Sequence, residues 1–160
     1  MEGSKFKTQQ IRFEDGQLKM AIEERSKELK EGQVLIKVRY APVSRFDKER
    51  LSVKPISEKD VFGMEGCGII EEVGPGVDQS LKGKKCAFCR AAWQQYTIQN
   101  AKCLLLFNDD VDLKKCASSM INPLTALCMK FRLLDEGAKN FVFHGAGTNL
   151  GRMFLKIAKR

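Results

Sequence analysis

The residues best suited to chemistry lie near the C-terminal end, where Gly145-Ala146-Gly147-Thr148-Asn149-Leu150-Gly151 separates an apolar triplet from an amphipathic stretch. Phe141, Val142 and Phe143 have the aromatic and β-branched character of a short buried strand, and Met153, Phe154, Ile157 and Ala158 fall on one face of a helix. A strand that turns on glycines into a helix N-terminus presents unpaired N–H groups and the positive end of a dipole, a combination suited to a phosphate. The absence of a β-carbon lets the backbone come close to it. The spacing is G-x-G-x-x-x-G, one residue longer than the usual dinucleotide fingerprint. The same glycines also suit a tight βα turn with no ligand, and spacing alone leaves both readings open.

Other reactive side chains carry less. Cys86 and Cys89 form a CxxC, but a zinc site needs about four ligands and no second pair with suitable spacing follows. On a strand the two thiols point to opposite faces, which argues against a redox pair. With Cys67, Cys103, Cys116 and Cys128 they are scattered through apolar segments, so reduced and mostly buried thiols are expected. His144, the single histidine, has the chemistry of a general acid or base. Its place at the end of the strand entering the loop favours a structural residue.

These groups need elements to position them. Residues 34–40 place Val34, Ile36, Val38 and Tyr40 on one face and Lys37 and Arg39 on the other, which predicts a half-buried strand. Ala41-Pro42 ends it, and the polar stretch to Asp60, containing Pro55, is long enough for a functional loop. Further strands are expected at 68–73, 84–88, 93–98 and 102–107, the first closed by Gly74-Pro75-Gly76. Many short strands separated by glycine and proline turns suggest a small barrel or sandwich. The period then changes: 112–119 can start a helix, and Pro123 suits the first turn of another running through Leu124, Leu127, Cys128, Phe131 and Leu134 until Gly137.

Composition narrows the class. With 43% hydrophobic and 30% charged residues in 160, the chain is globular rather than disordered. Its longest apolar run, 103–107, is too short to cross a bilayer. The N-terminus alternates acids and bases without an apolar core, so it reads as neither a secretory signal nor a mitochondrial presequence. A cytoplasmic address follows as the default, with mitochondrial association left open. The net charge of +8 could favour polyanions, yet residues 19–39 interleave Lys and Arg with Glu as a solvated surface does. No stacking or base-reading motif accompanies the basic groups, so nucleic acid is not an expected partner.

Taken in order, VLIKVRYAPVSRFD at 34–47, FGMEGCGIIEEVGPGV at 62–77, the 82–88 segment, AWQQY at 92–96 and INPLTAL at 121–127 resemble the medium-chain dehydrogenase/reductase superfamily. The NPLTAL segment and the glycine loop look most like its zinc-independent branch, the quinone oxidoreductases and enoyl reductases. The resemblance implies a mainly β GroES-like partly open barrel with helices at 1–110, then linking helices and the first βα unit of a Rossmann cofactor domain at 111–160. It implies NADPH or NADH as cofactor, with Ser44 and Thr125 near the nicotinamide and Gly145, Ala146, Gly147, Thr148, Asn149, Leu150 and Gly151 near the pyrophosphate. No zinc is expected: Ser44 and Met64 stand where the zinc-dependent enzymes carry cysteine and histidine, beside Glu65, and a hydroxyl and a thioether are poor zinc ligands.

In such reductases the nicotinamide delivers hydride to a quinone or an activated C=C, and the protein mainly orients and polarises. A catalytic residue therefore stays unassigned. Some enoyl reductases place a tyrosine acid after the Ser44 region, and 51–55 contains none. Trp93 and Tyr96 are expected to pack on the barrel, and Asp47 matches a family position. A small-molecule substrate is the partner implied for a complete enzyme. With one βα unit in place of the two βαβαβ halves of a Rossmann fold, the chain reads as an N-terminal portion or shortened relative, inactive by itself. The competing reading is a non-catalytic GroES-like subunit of a homo-oligomer or larger assembly, favoured if the NPLTAL and C-terminal helices expose apolar faces.

Overall fold

In the computed structural model, which describes residues 5–53, 56 and 60–159, the chain begins with a hairpin of β1 (Lys5–Glu14) and β2 (Gln17–Ser26). Asp15 and Gly16 form its two-residue turn, both at positive φ, as a type I′ connection requires. The interleaved charges of 19–39, expected to mark plain solvated surface, thus lie largely on strands, where alternate residues face water. Arg12 on β1 pairs with Glu23 on β2. Backbone bonds from Ile11 N to Trp93 O (2.9 Å) and Gln95 N to Gln9 O (2.7 Å) tie β1 to residues 93–95.

The main sheet has five antiparallel strands in the order β6-β3-β4-β5-β7: β3 (Gln33–Tyr40), β4 (Glu65–Val73), β5 (Lys85–Cys89), β6 (Tyr96–Asn100) and β7 (Leu105–Phe107). Val34 and Ile36 of β3, Ile70 of β4, and Cys86 and Phe88 of β5 meet in one core with Ala92, and Leu35, Cys67 and Ala87 of the same strands are buried as well. The sheet is open, as a partly open GroES-like barrel implies, because β6 and β7 are not paired with each other. Two strands are shorter than expected. Trp93, Gln94 and Gln95 bond to the hairpin, and Gln95 O also accepts from Val38 N of β3 (2.9 Å). Asn100 accepts from Lys102 N (2.9 Å) and caps a 3₁₀ turn at Ala101–Cys103 before β7.

The polar stretch expected as a loop contains a helix, α1 (Arg45–Val53); Pro55 lies outside the described residues. Asp112 caps the short α2 (Leu113–Cys116) through Lys114 N. Helix α3 (Ile121–Asp135) follows and closes at Glu136, with Gly137 at φ 63°, an αL residue that ends helices readily. Helix α4 (Asn149–Ala158) is the last element. The chain divides into two compact units, Met1–Ser118 and Ser119–Arg160.

One local expectation fails. Phe141–Phe143 forms no strand, and Val142 is 99% exposed. A strand needs a neighbour to satisfy its N–H and C=O groups, and among the described residues none pairs with this segment. Phe141 and Phe143 are instead held by their rings against Phe154 of α4, with centroids 5.3 and 4.9 Å away.

Candidate functional site

In the second unit, the glycine loop is tied together around Thr148. Its hydroxyl donates to Gly145 O (2.7 Å) and accepts from Gly151 N (3.0 Å), while its own N–H donates to Gly145 O (3.0 Å). Thr148 is therefore the N-cap of α4, with its side-chain oxygen on the N3 amide. Gly151 is buried against the loop: a β-carbon there would lie 2.4 Å from Gly145 O and 2.7 Å from Ala146 Cα. Gly147 differs, because a β-carbon there would meet nothing within 4 Å. Arg152 folds back so that its Nε donates to Gly147 O (3.2 Å), placing a guanidinium at the loop.

Ala146, Asn149 and Leu150 complete this loop and the first turn of α4. Thr125 is on α3, exposed, with its hydroxyl donating to Ile121 O one turn back (2.7 Å). His144 lies at the loop entrance and is exposed. Ser44 belongs to the first unit, where its structural role is clear. Its backbone N and Oγ both donate to Asp47 Oδ2 (2.8 and 2.6 Å), and Asp47 N donates to Ser44 Oγ (3.2 Å). This is a capping box that starts α1. Asp47, buried, also accepts from Met64 N through Oδ1 (3.0 Å), so one carboxylate ties the helix to the segment entering β4.

Beside that junction is a cleft of about 380 Å³ bordered by Phe46, Arg50, Asp60, Phe62, Met64 and Arg90, among others. Arg50 and Asp60 form an ion pair across it (3.2 Å). Phe62 stacks on Trp93, whose Nε1 donates to Pro42 O (3.2 Å). Tyr96, for its part, meets the β1 ring of Phe6 edge to face. Arg90 was not singled out by sequence. Its signal, a left-handed backbone at a non-glycine residue, is a property of the fold alone.

The buried thiols Cys67, Cys86 and Cys116 read as structural, whereas Cys103 and Cys128, expected among mostly buried thiols, are exposed. Burial pushes the Cys67 thiol up to about 12, with Cys116 adding to the effect, and burial beside Cys67 does the same for Cys86. Cys67 Sγ donates to Leu113 O (3.0 Å), linking β4 to α2. Cys89 is half-buried and Cys86 fully buried on the same strand, consistent with opposite faces. Among the described residues no group of three or more His, Cys, Asp or Glu is placed to hold a metal ion. Around Ser44 and Met64, the hydroxyl is engaged by Asp47 and the remaining donor is a thioether.

The pattern of the alcohol dehydrogenase GroES-like domain matches residues 30–118, over half the chain and the whole main sheet. The chain belongs to this family. A mitochondrial enoyl-[acyl-carrier-protein] reductase of Arabidopsis thaliana is 28% identical over 140 residues, covering 82% of this chain and 37% of that protein. A Mesorhizobium loti structure bearing the name NADPH:quinone reductase superposes with a TM-score of 0.78 at 24% identity, over 99% of this chain and 53% of that one. The Helicobacter pylori protein CAD, solved with NADP(H), gives 0.76 at 16%, over 98% and 57%. These structures share the fold, a GroES-like domain followed by the start of a Rossmann domain. The chain spans about half the length of such structures and less of the plant relative. Among the described residues no helix is long and apolar enough to cross a membrane.

Proposed function

We propose that the protein is, or is part of, an NAD(P)H-dependent oxidoreductase that passes hydride to a quinone, enone or enoyl thioester without zinc. The observation that carries this reading is Gly147. Gly145 has a positive φ and Gly151 a packing contact to explain them, whereas the fold itself has room for a side chain at 147. The missing β-carbon leaves backbone open at the N-terminus of α4, beside the Arg152 guanidinium. A pyrophosphate is the group that such a surface accommodates, through N–H donors, the helix dipole and a cation. When bound, the nicotinamide supplies the hydride. Gly145–Gly151 would hold its phosphates, Thr148 would keep the loop in shape, and the Ser44 and Met64 donor set gives no reason to invoke a metal.

The test is NADPH oxidation by protein isolated from its source, offered a quinone, an enone and an enoyl thioester. Loss of NADPH that depends on one of these acceptors is expected, and Gly147→Val should abolish it by filling the open backbone. A second reading, a non-catalytic subunit, has its own observation: Leu124, Leu127, Phe131 and Leu134 of α3 are exposed, as is Val142. Absence of turnover with every acceptor, together with a stoichiometric complex with a definite partner, would select it.

A further inference from the structure

The cleft of the first unit is bordered by a cation that pairs with none of the described residues. The charged residues that border the cleft are Asp47, Asp60, Arg50 and Arg90, the last of them exposed. Asp47 is engaged by Ser44 and by Met64 N, and Asp60 by Arg50. The Arg90 guanidinium has no ion pair or hydrogen bond among the described residues. Its backbone is also held in an unusual state. Arg90 and Ala91 have φ of 69° and 54°, a region that side chains rarely adopt. Four hydrogen bonds keep them there: Arg90 N to Met64 O (2.7 Å), Ala92 N to Gly63 O (3.2 Å), Gln94 Nε2 to Ala91 O (2.8 Å) and Gln99 Nε2 to Arg90 O (3.2 Å). Strain maintained in this way clusters at binding sites.

We infer that Arg90 is an oxyanion-recognising residue, so that the substrate joins an apolar unsaturated body to a carboxylate or phosphate. The inference rests on the reductase reading in taking this cleft as the substrate's. Phe46, Val61 and Phe62 supply its apolar wall, and its volume suits a small ligand. A guanidinium presents a planar fork of donors that fits either oxyanion, and the two acids of the cleft, Asp47 and Asp60, are engaged by other groups. The carboxylate could belong to the substrate itself, and the phosphate to a carrier attached to it.

Trp93, the single tryptophan, stacks on the cleft residue Phe62 and so reports occupancy. The 160-residue chain is titrated with trans-2-hexenoate, hexyl phosphate and the neutral methyl trans-2-hexenoate, reading Trp93 emission. At least one anion is expected to bind about tenfold tighter than the ester, the order set by a charge-assisted hydrogen bond. Which anion wins identifies the source of the oxyanion. Arg90→Gln should level the anion and the ester, and Arg90→Lys should restore part of the preference. Unaltered thermal midpoints show that both variants fold; if either does not, the wild-type preference alone decides.

Equal binding of ester and anions, no binding of any probe, or an anion preference that survives in folded Arg90→Gln would each overturn the inference. Turnover separates it from the reading it rests on. NADPH-dependent turnover that treats neutral and anionic acceptors alike overturns Arg90 and leaves the reductase. The Arg90-dependent preference in a protein that turns over no acceptor sinks the reductase and leaves the oxyanion site.

Discussion

Gly151 shows how one residue type can have two explanations that only geometry separates. Sequence assigned it to a phosphate-binding loop, while the structure gives it a packing reason, since a β-carbon would press on the backbone of Gly145 and Ala146. Backbone cannot move aside as the end of a flexible side chain can. Gly151→Ala is therefore expected to destabilise the second unit by about 1–3 kcal/mol, read as a lower denaturation midpoint; an unchanged midpoint would show that α4 slides without cost. The thiols make a second prediction. Cys67 and Cys86 keep their protons up to about 12, against an ordinary value of 9.0. Above 9.0 the unfolded chain loses these protons while the folded one retains them, so stability present below 9.0 declines from there toward about 12. Denaturation midpoints at pH 8 and pH 10.5 should fall accordingly, and thiol alkylation of the folded chain at pH 8 should reach the exposed Cys103 and Cys128 before Cys67 or Cys86.

At the scale of elements, the legible parts were those whose apolar residues follow a single period. β3 was read from Val34, Ile36 and Val38, and α3 from the helical spacing of Leu124, Leu127 and Phe131, although these three are exposed in the structure. The hairpin escaped notice because its alternation is mostly charged against polar; only Asp15-Gly16 and the row Leu18, Met20 and Ile22 betray it, and that row is exposed. Gly16→Ala should weaken the turn by about 1–2 kcal/mol, the cost of a β-carbon in left-handed backbone. Faster amide exchange confined to β1 and β2 is the expected sign. Helix α1 was missed for a different reason. Its start depends on Ser44 and Asp47 capping each other, and the same carboxylate reaches Met64 across 17 residues, a long-range bond that no local pattern contains. Asp47→Ala removes the helix cap and that bond together. A loss of about 1–3 kcal/mol is expected, with Asp47→Asn intermediate because one carbonyl oxygen remains to accept.

For the whole molecule, the two candidate sites differ in legibility: the proposed glycine loop is suggested by its spacing, but Arg90 becomes visible only once Met64 and Gln99 hold its backbone at positive φ. Topology also bears on what these 160 residues can do alone. A dinucleotide lies across the crevice where strand order reverses between two βαβαβ halves. Here α4 is the last element, and the segment before its loop, Phe141–Phe143, has no strand partner among the described residues. With phosphates at the loop, as proposed, ribose and nicotinamide would find little surface around it in these residues. Phosphate contacts at one helix N-terminus are worth far less than a full cofactor site. Titration of the 160-residue chain with NADPH, followed by nicotinamide fluorescence, is accordingly expected to give weak binding or none. A submicromolar dissociation constant would mean that these residues form a cofactor site by another route, such as association between copies, and sedimentation with and without NADPH would then reveal it as a change in mass.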